Sequence, residues 1–192
     1  MVRSNFNDYI GFSRNKKKMN KLILSIPILI ILIISFFLFI FLLQNKNPSS
    51  PPSALLNKNL PEVSLINLFN ENQFIPDNNL KNKFILINFF ASWCSPCKVE
   101  HPLFFAIKKQ NPNLYILGIN HKDKKVEAIE YLNIEGNPYD FVAVDKKGLI
   151  ALEFGVFGLP ETFLVNKSGK IIYKYLGPLT KEIIKNEIQP LL

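Results

Sequence analysis

Cys94 and Cys97 are the only two cysteines in a chain of 192 residues, and two residues separate them. They closely follow an apolar run, residues 84–90, which has the length and composition of a buried strand. A helix is predicted to begin at the pair, and its dipole and free backbone N–H groups favour the thiolate form of cysteine. A disulfide that closes so short a loop constrains the unfolded chain little, which argues against a structural role. The pattern therefore predicts a redox-active dithiol at a strand–helix junction.

A Cys-x-x-Cys pair also supplies half of some zinc sites. Tetrahedral zinc would need two further nitrogen or sulfur ligands, and the remaining candidates are His101 and His121. Their spacing is far from the H-x₃₋₅-H pattern of such sites, so we predict no metal. We expect His101 to be a polar residue on the exposed side of the active-site helix.

Strand and helix patterns alternate through residues 60–192, which we predict to be a single domain. Strands are predicted at 84–90, 114–120 and 141–144, and helices at 97–110, 124–132 and 148–154. Hairpins are predicted from 63–68 with 73–75 and from 162–166 with 170–176, and a last helix at 181–188, capped by Thr180 and ended by Pro190. This order predicts an α/β fold with a mixed central sheet flanked by helices, a layout similar to that of thioredoxin.

An uncharged apolar stretch at residues 22–43 is long enough to cross a bilayer as a transmembrane helix. Basic residues concentrate just before it, so residues 1–21 are predicted to be cytoplasmic. A cleaved signal peptide is the alternative, but the stretch exceeds a signal core of 7–15 residues and no A-x-A site follows. We expect a single-pass, uncleaved anchor in the inner membrane, with the C-terminal domain in the periplasm of a Gram-negative host.

The net charge of +8 reflects mainly this N-terminal cluster. The rest of the chain mixes lysine with glutamate and aspartate, so the charge is interpreted as a topology signal and no nucleic-acid partner is predicted. Residues 44–59, rich in asparagine, proline and serine, are interpreted as an extended linker that holds the domain away from the membrane.

Two prolines extend the similarity to thioredoxin. Pro102 falls five residues after Cys97, where the active-site helices of thioredoxin-like proteins carry a kinking proline. Pro160 precedes a predicted strand, and the resemblance implies a cis bond from Leu159 to Pro160 that faces the cysteines. Such a bond leaves the backbone of Leu159 free to pair with an extended substrate peptide.

Three longer segments make the resemblance more specific: Asn-Phe-Phe-Ala-Ser-Trp-Cys at 88–94, Gly-Asn-Pro-Tyr at 136–139 and Gly-Val-Phe-Gly-Leu-Pro-Glu-Thr-Phe at 155–163. They resemble the CcmG/DsbE family, membrane-tethered thiol:disulfide interchange proteins of cytochrome c maturation. Asn-His-Lys-Asp at 120–123 gives weaker support, because the family has tyrosine where this chain has His121. We interpret His121 as a neutral aromatic replacement.

The resemblance implies a reductant that uses no cofactor. Cys94 would attack a disulfide in apocytochrome c or in a cytochrome c maturation protein, and Cys97 would resolve the mixed disulfide. A membrane electron donor of the DsbD/CcdA kind would reduce the pair again. Trp93 would cover the thiols, and Leu159 with Pro160 would align the substrate.

Asn88 stands six residues before Cys94, where thioredoxin has a buried aspartate that helps to move protons. An amide cannot exchange protons in this way, so another group must do so. Glu100, one helical turn after Cys97, and Glu161, directly after Pro160, are the candidates. A solvated surface carboxylate is the alternative for Glu100, whereas we favour a functional role for Glu161.

Other functions remain open at this point. A general membrane-anchored reductase of the TlpA or ResA kind would have broader substrates, and a binding module would hold apocytochrome with redox turnover secondary. An oxidase of the DsbA kind is a further alternative, because the cysteine spacing does not fix the direction of electron flow.

Overall fold

A computed structural model of the chain describes residues 21–43, 55–75, 80 and 82–192, and it divides into the units Met1–Lys46 and Asn47–Leu192. In the first unit, the apolar stretch forms helix α1, Lys21–Leu43. None of the helices in the described part of the chain meets both the length and the hydropathy that a membrane span requires. Residues 1–20 of the predicted cytoplasmic segment and 44–54 of the predicted linker lie outside the described residues.

The second unit contains a five-stranded mixed sheet. Its strands are β1 (Ile85–Phe90), β2 (Tyr115–His121), β3 (Phe141–Asp145), β4 (Glu161–Val165) and β5 (Ile171–Leu176). They lie in the order β3-β2-β1-β4-β5, in which β1, β2 and β3 run parallel while β4 is antiparallel to both β1 and β5. β1 is central and wholly buried, as its continuous apolar run predicts. The predicted thioredoxin-like sheet is confirmed.

Helices flank this sheet on both faces. They are α2 (Ser95–Gln110), α3 (Lys125–Glu135), α4 (Leu149–Glu153) and α5 (Lys181–Ile183). The Thr180 hydroxyl accepts a hydrogen bond from Ile183 N at 3.3 Å, which confirms the predicted cap of α5. After α5 the chain continues as a π-helical turn, Ile184–Ile188, and a 3-10 turn, Gln189–Leu191, in place of the predicted regular helix. Pro190 lies inside the last turn, where its missing N–H prevents α-helical bonding.

The predicted leading hairpin is present in a short form. Ile66 and Phe74 form an antiparallel bridge, Asn67 N donates to Gln73 O at 2.9 Å, and Asn67 Oδ1 accepts the N–H of Phe69 at 2.8 Å in the turn. The same segment also pairs with the edge strand β3, where Leu68 N donates to Val142 O at 2.8 Å. The segment therefore covers an edge that would otherwise expose unpaired backbone groups.

Side chains of β1 alternate between the two faces of the sheet. Leu86, Asn88 and Phe90 face the side packed by α2 and α3, which also carries the two cysteines and is called the disulfide face below. The intervening residues of β1 face the side packed by α4, called the opposite face, where Phe89 packs edge-on against Phe154. Predicted site residues can contact one another directly only when they lie on the same face of the sheet.

Candidate redox site

Cys94 and Cys97 are joined by a disulfide, with their Cα atoms 5.3 Å apart, and both are buried. Cys94 is the N-cap residue of α2, and its Sγ accepts a hydrogen bond from Cys97 N at 3.2 Å. Pro96 occupies the first turn of α2, where an N–H is not needed. A thiolate at Cys94 would therefore receive the N–H donors and the dipole of the helix N-terminus.

The peptide bond between Leu159 and Pro160 is cis, as predicted. It directly precedes β4, and Glu161 of that strand pairs in register with Phe89 of β1. Pro160 thus lies at the end of the sheet from which the chain leaves β1 toward Cys94. The sequence-predicted substrate wall and the disulfide share this end of the domain.

Glu100 is fully buried on α2, so the alternative of a solvated surface carboxylate is wrong. Asn88 Nδ2 donates to Glu100 Oε1 at 2.7 Å, and Leu179 N donates to Oε2 at 2.7 Å. Burial raises the pKa of Glu100 to about 7, and these two hydrogen bonds oppose the rise only in part. The carboxyl group therefore exchanges its proton near neutral pH.

Asn88 is the centre of a buried polar network on the disulfide face. Its Nδ2 also donates to Thr162 Oγ1 at 3.2 Å, and its Oδ1 accepts the Tyr139 hydroxyl at 2.9 Å. Burial raises the pKa of Tyr139 well above its usual value, which keeps that hydroxyl protonated and donating. Sequence reasoning missed Thr162 and Leu179 as partners, because they lie 74 and 79 residues from the groups they contact.

Glu161 is also fully buried, but on the opposite face. Lys174 Nζ lies 2.6 Å from Glu161 Oε1, and Phe157 N donates to Oε2 at 3.0 Å. Since side chains alternate along β4, Glu161 points away from the face where Thr162 contacts Asn88. The structure thus separates the two predicted acids, and a proton-transfer role for Glu161 stays a prediction.

Known proteins that are similar to this chain include thiol:disulfide interchange proteins, which agrees with the disulfide at the start of α2. The Redoxin family profile matches residues 56–189. The thiol:disulfide interchange protein HelX of Rhodobacter capsulatus is 36% identical over 174 residues, which span 91% of this chain and 97% of HelX. The thiol:disulfide interchange protein DsbE of Escherichia coli K12 is 36% identical over 177 residues, 90% of this chain and 95% of DsbE.

This chain belongs to the DsbE/HelX family of thiol:disulfide interchange proteins. It is therefore a thiol:disulfide oxidoreductase with a redox-active Cys-x-x-Cys pair. A solved thiol-disulfide oxidoreductase from Bacteroides fragilis is 25% identical and superposes with a TM-score of 0.60, covering 70% of this chain and 100% of that one.

The loop after β2 forms hydrogen bonds with the two residues that precede Cys94. Asp123 Oδ2 accepts Ser92 N at 2.6 Å, and Asp123 Oδ1 accepts the Ser92 hydroxyl at 2.9 Å. Trp93 Nε1 donates to Lys122 O at 3.2 Å while 57% of the Trp93 residue is exposed. The weakly supported tetrad at 120–123 thus contacts the residues just before Cys94.

The two histidines lie in different surroundings. His101 is buried, which corrects the expectation that it is exposed on the active-site helix. Its Nε2 lies 2.9 Å from Gly136 O, its ring packs against Tyr131, and burial lowers its pKa. His121 Nδ1 lies 2.9 Å from Asp145 Oδ2, a carboxylate that also accepts N–H groups at the start of α4.

Proposed function

We propose that this oxidoreductase is a membrane-anchored reductant of disulfides in apocytochrome c, or in a protein that matures it. The observation that supports this most is the disulfide at the start of α2 with the buried Glu100 one turn further on. A dithiol that reduces a disulfide must lose two protons as well as two electrons, and Glu100 has a pKa suited to accept one of them.

The exchange has two steps. The Cys94 thiolate attacks one sulfur of the substrate disulfide, and the other substrate sulfur leaves as a thiolate. Cys97 then gives its proton to the Glu100 carboxylate and attacks Cys94 Sγ. The Cys94–Cys97 disulfide forms, and the substrate sulfur that was bound to Cys94 is released as a thiolate. Two electrons pass to the substrate, and its two thiolates take up protons from solvent.

Three further residues form the proposed substrate contact. The backbone of Leu159, next to the cis Pro160, is available to pair with an extended segment that carries the disulfide. The indole of Trp93, which is exposed beside Cys94, would cover the sulfur atoms. These roles extend the sequence-based assignment and do not depend on the direction of electron flow.

We further propose that residues 22–43 anchor the protein in the inner membrane and that the domain works in the periplasm. The length of the apolar stretch and the basic cluster before it support this orientation. A reductant in an oxidising compartment needs a supply of electrons, which a membrane donor of the DsbD/CcdA kind would provide by thiol–disulfide exchange.

Trapping the substrate tests this proposal. In the full chain, Cys97→Ala removes the resolving thiol, so the mixed disulfide at Cys94 should persist and be isolated from cells. We expect apocytochrome c or a maturation protein on Cys94, and no trapped protein when Cys94 is replaced as well. A broad set of periplasmic proteins would favour the general reductase instead.

A second result separates a reductant from a holding protein. Cells with the Cys97→Ala chain should recover cytochrome c assembly when an external thiol reductant is supplied, because the missing electrons are then available. Assembly that stays lost, although the variant protein is present, would indicate that holding the apocytochrome dominates.

A further inference from the structure

The segment from Gly155 to Leu159 leads into the cis proline, and its middle is exposed although Val156 and Leu159 are partly buried against the core. Phe157 is 77% exposed, and a side chain added at Gly155 or Gly158 would meet no atom within 4 Å. A loop of this kind does not hold its position by burial alone. The loop lies next to the proposed substrate contact, so the contacts that hold the loop in place can affect how the substrate binds.

Lys174 of β5 supplies the anchor from inside the domain. This lysine is almost fully buried, and its Nζ donates to Gly155 O at 2.8 Å. The same Nζ lies 4.9 Å from the centre of the Phe157 ring and 5.2 Å from that of Phe163, which are cation–π distances. One buried ammonium thus contacts both the backbone and the exposed aromatic side chain of the loop.

Glu161 completes the arrangement. Its Oε1 lies 2.6 Å from Lys174 Nζ, and its Oε2 accepts the N–H of Phe157 at 3.0 Å. The ion pair therefore contacts the loop at Gly155 O, Phe157 N and the Phe157 ring. Two charges buried together carry a desolvation cost that an apolar pair would avoid, so stability alone does not account for them.

We propose that Lys174 is a positioning residue for thiol–disulfide exchange. Through Glu161 it fixes the loop so that Phe157 presents an apolar contact to the polypeptide on either side of the substrate disulfide. The inference rests on the oxidoreductase activity and on polypeptide disulfides as substrates, and it holds for either direction of electron flow. A small disulfide, which has no flanking polypeptide, would not need this contact.

The test compares two probes on the full chain in detergent. One probe is a synthetic peptide with an oxidised Cys-x-x-Cys-His sequence, and the other is hydroxyethyl disulfide. Trp93, the only tryptophan and the neighbour of Cys94, reports the reaction of the reduced protein by stopped-flow fluorescence. The variants are Lys174→Arg, Lys174→Met and the double variant Lys174→Met with Glu161→Met. Lys170→Met, at an exposed lysine just before β5, is the control.

Lys174→Met leaves Glu161 buried without its partner and should lower the Tm, whereas the double variant removes both charges and should recover it. In both variants the rate constant for the peptide should fall about tenfold. The rate constant for hydroxyethyl disulfide should change less than about twofold. Lys174→Arg should keep most of the peptide rate because it keeps the charge and the donors. Lys170→Met should match the wild type.

Recovery of the peptide rate together with the Tm in the double variant would overturn the proposal, since the pair would then act only on stability. An equal loss with both probes would also overturn it. A wild-type chain that does not reduce the peptide would instead contradict the proposed reductant. The same variants are then compared as oxidants of the reduced peptide, where a peptide-specific loss again supports the positioning role.

Discussion

At the scale of single residues, the site depends on an amide paired with an acid. Asn88 has no proton to exchange, but its Nδ2 donates to Glu100 at 2.7 Å and so holds the carboxyl group in place. Glu100, with a pKa raised by burial to about 7, is the member of this pair that titrates. An aspartate in place of Asn88 would compete for the same proton, so the two residues have to be considered together.

The raised pKa of Glu100 predicts a specific pH dependence of stability. Between pH 4.5 and pH 7 the unfolded carboxyl has lost its proton while the folded one keeps it. The free energy of unfolding should therefore fall across this window as pH rises, by up to about 3 kcal/mol relative to Glu100→Gln. Urea unfolding of both oxidised proteins measures the difference. His101, whose pKa burial lowers, is common to both and cancels. A flat difference would contradict the assignment.

Asn88→Asp should destabilise the protein most at alkaline pH. The new carboxylate would face Glu100 and lose the donor to Thr162, at a cost of about 2 kcal/mol or more at pH 8. At pH 5 one shared proton should relieve much of this cost. Unfolding measured at both pH values checks the prediction, and an equal effect at pH 5 and pH 8 would argue against a direct carboxylate contact.

At this scale, local spacing predicts the redox-active cysteine pair, the resemblance predicts the cis proline, and Glu100 is one of two candidate acids. Sequence reasoning did not give the burial of Glu100 or the site of Glu161, since both depend on contacts far along the chain. Lys174 was missed because an alternating strand with one lysine also suits a solvated sheet face. Its burial follows from the position of β5 beside β4, which only the assembled sheet defines.

At the scale of elements, β2 and the segment before β3 meet at a glycine. A Cβ added at Gly118 would lie 2.8 Å from Tyr139 Cγ and 3.0 Å from the Phe90 ring, which stacks on Tyr139. The strand therefore approaches the aromatic side chain that donates to Asn88 more closely than any other residue type allows. The polar network of the site thus depends on close packing between neighbouring elements.

Gly118→Ala should cost about 1–3 kcal/mol of unfolding free energy, because the new methyl group overpacks against Tyr139. Gly158→Ala is the matched control, since no atom lies within 4 Å of its added Cβ, and its effect on stability should stay within about 0.5 kcal/mol. Denaturant unfolding of both variants makes the comparison. Equal stability of the two would contradict the tight contact.

The elements themselves were predictable where an apolar run or a turn signal was strong. The strands from β1 to β5 lie close to their predicted positions because continuous burial or alternation specified each. The leading hairpin is present as predicted, but its pairing with β3, in which Asn67 forms a bridge with Ala143, was not predicted. That pairing depends on an edge contributed by residues far along the chain.

At the scale of the whole molecule, the proposed orientation can be measured with reporter fusions. Alkaline phosphatase, which is active only outside the cytoplasm, should be active when joined after residue 59 and inactive when joined after residue 20. Replacing the basic residues before the apolar stretch by asparagine should lower the activity of the first fusion. Activity in the second fusion, or none in the first, would contradict the anchor and its orientation.

The Cys94–Cys97 pair is proposed to give electrons to its substrate, and the reduction potential of the pair determines whether it can. The full chain is equilibrated with glutathione redox buffers, and the fluorescence of Trp93 gives the reduced fraction. We predict a potential of about −200 mV or lower, at which the reduced pair is an effective donor. A potential near about −120 mV, that of a strong oxidant, would contradict it.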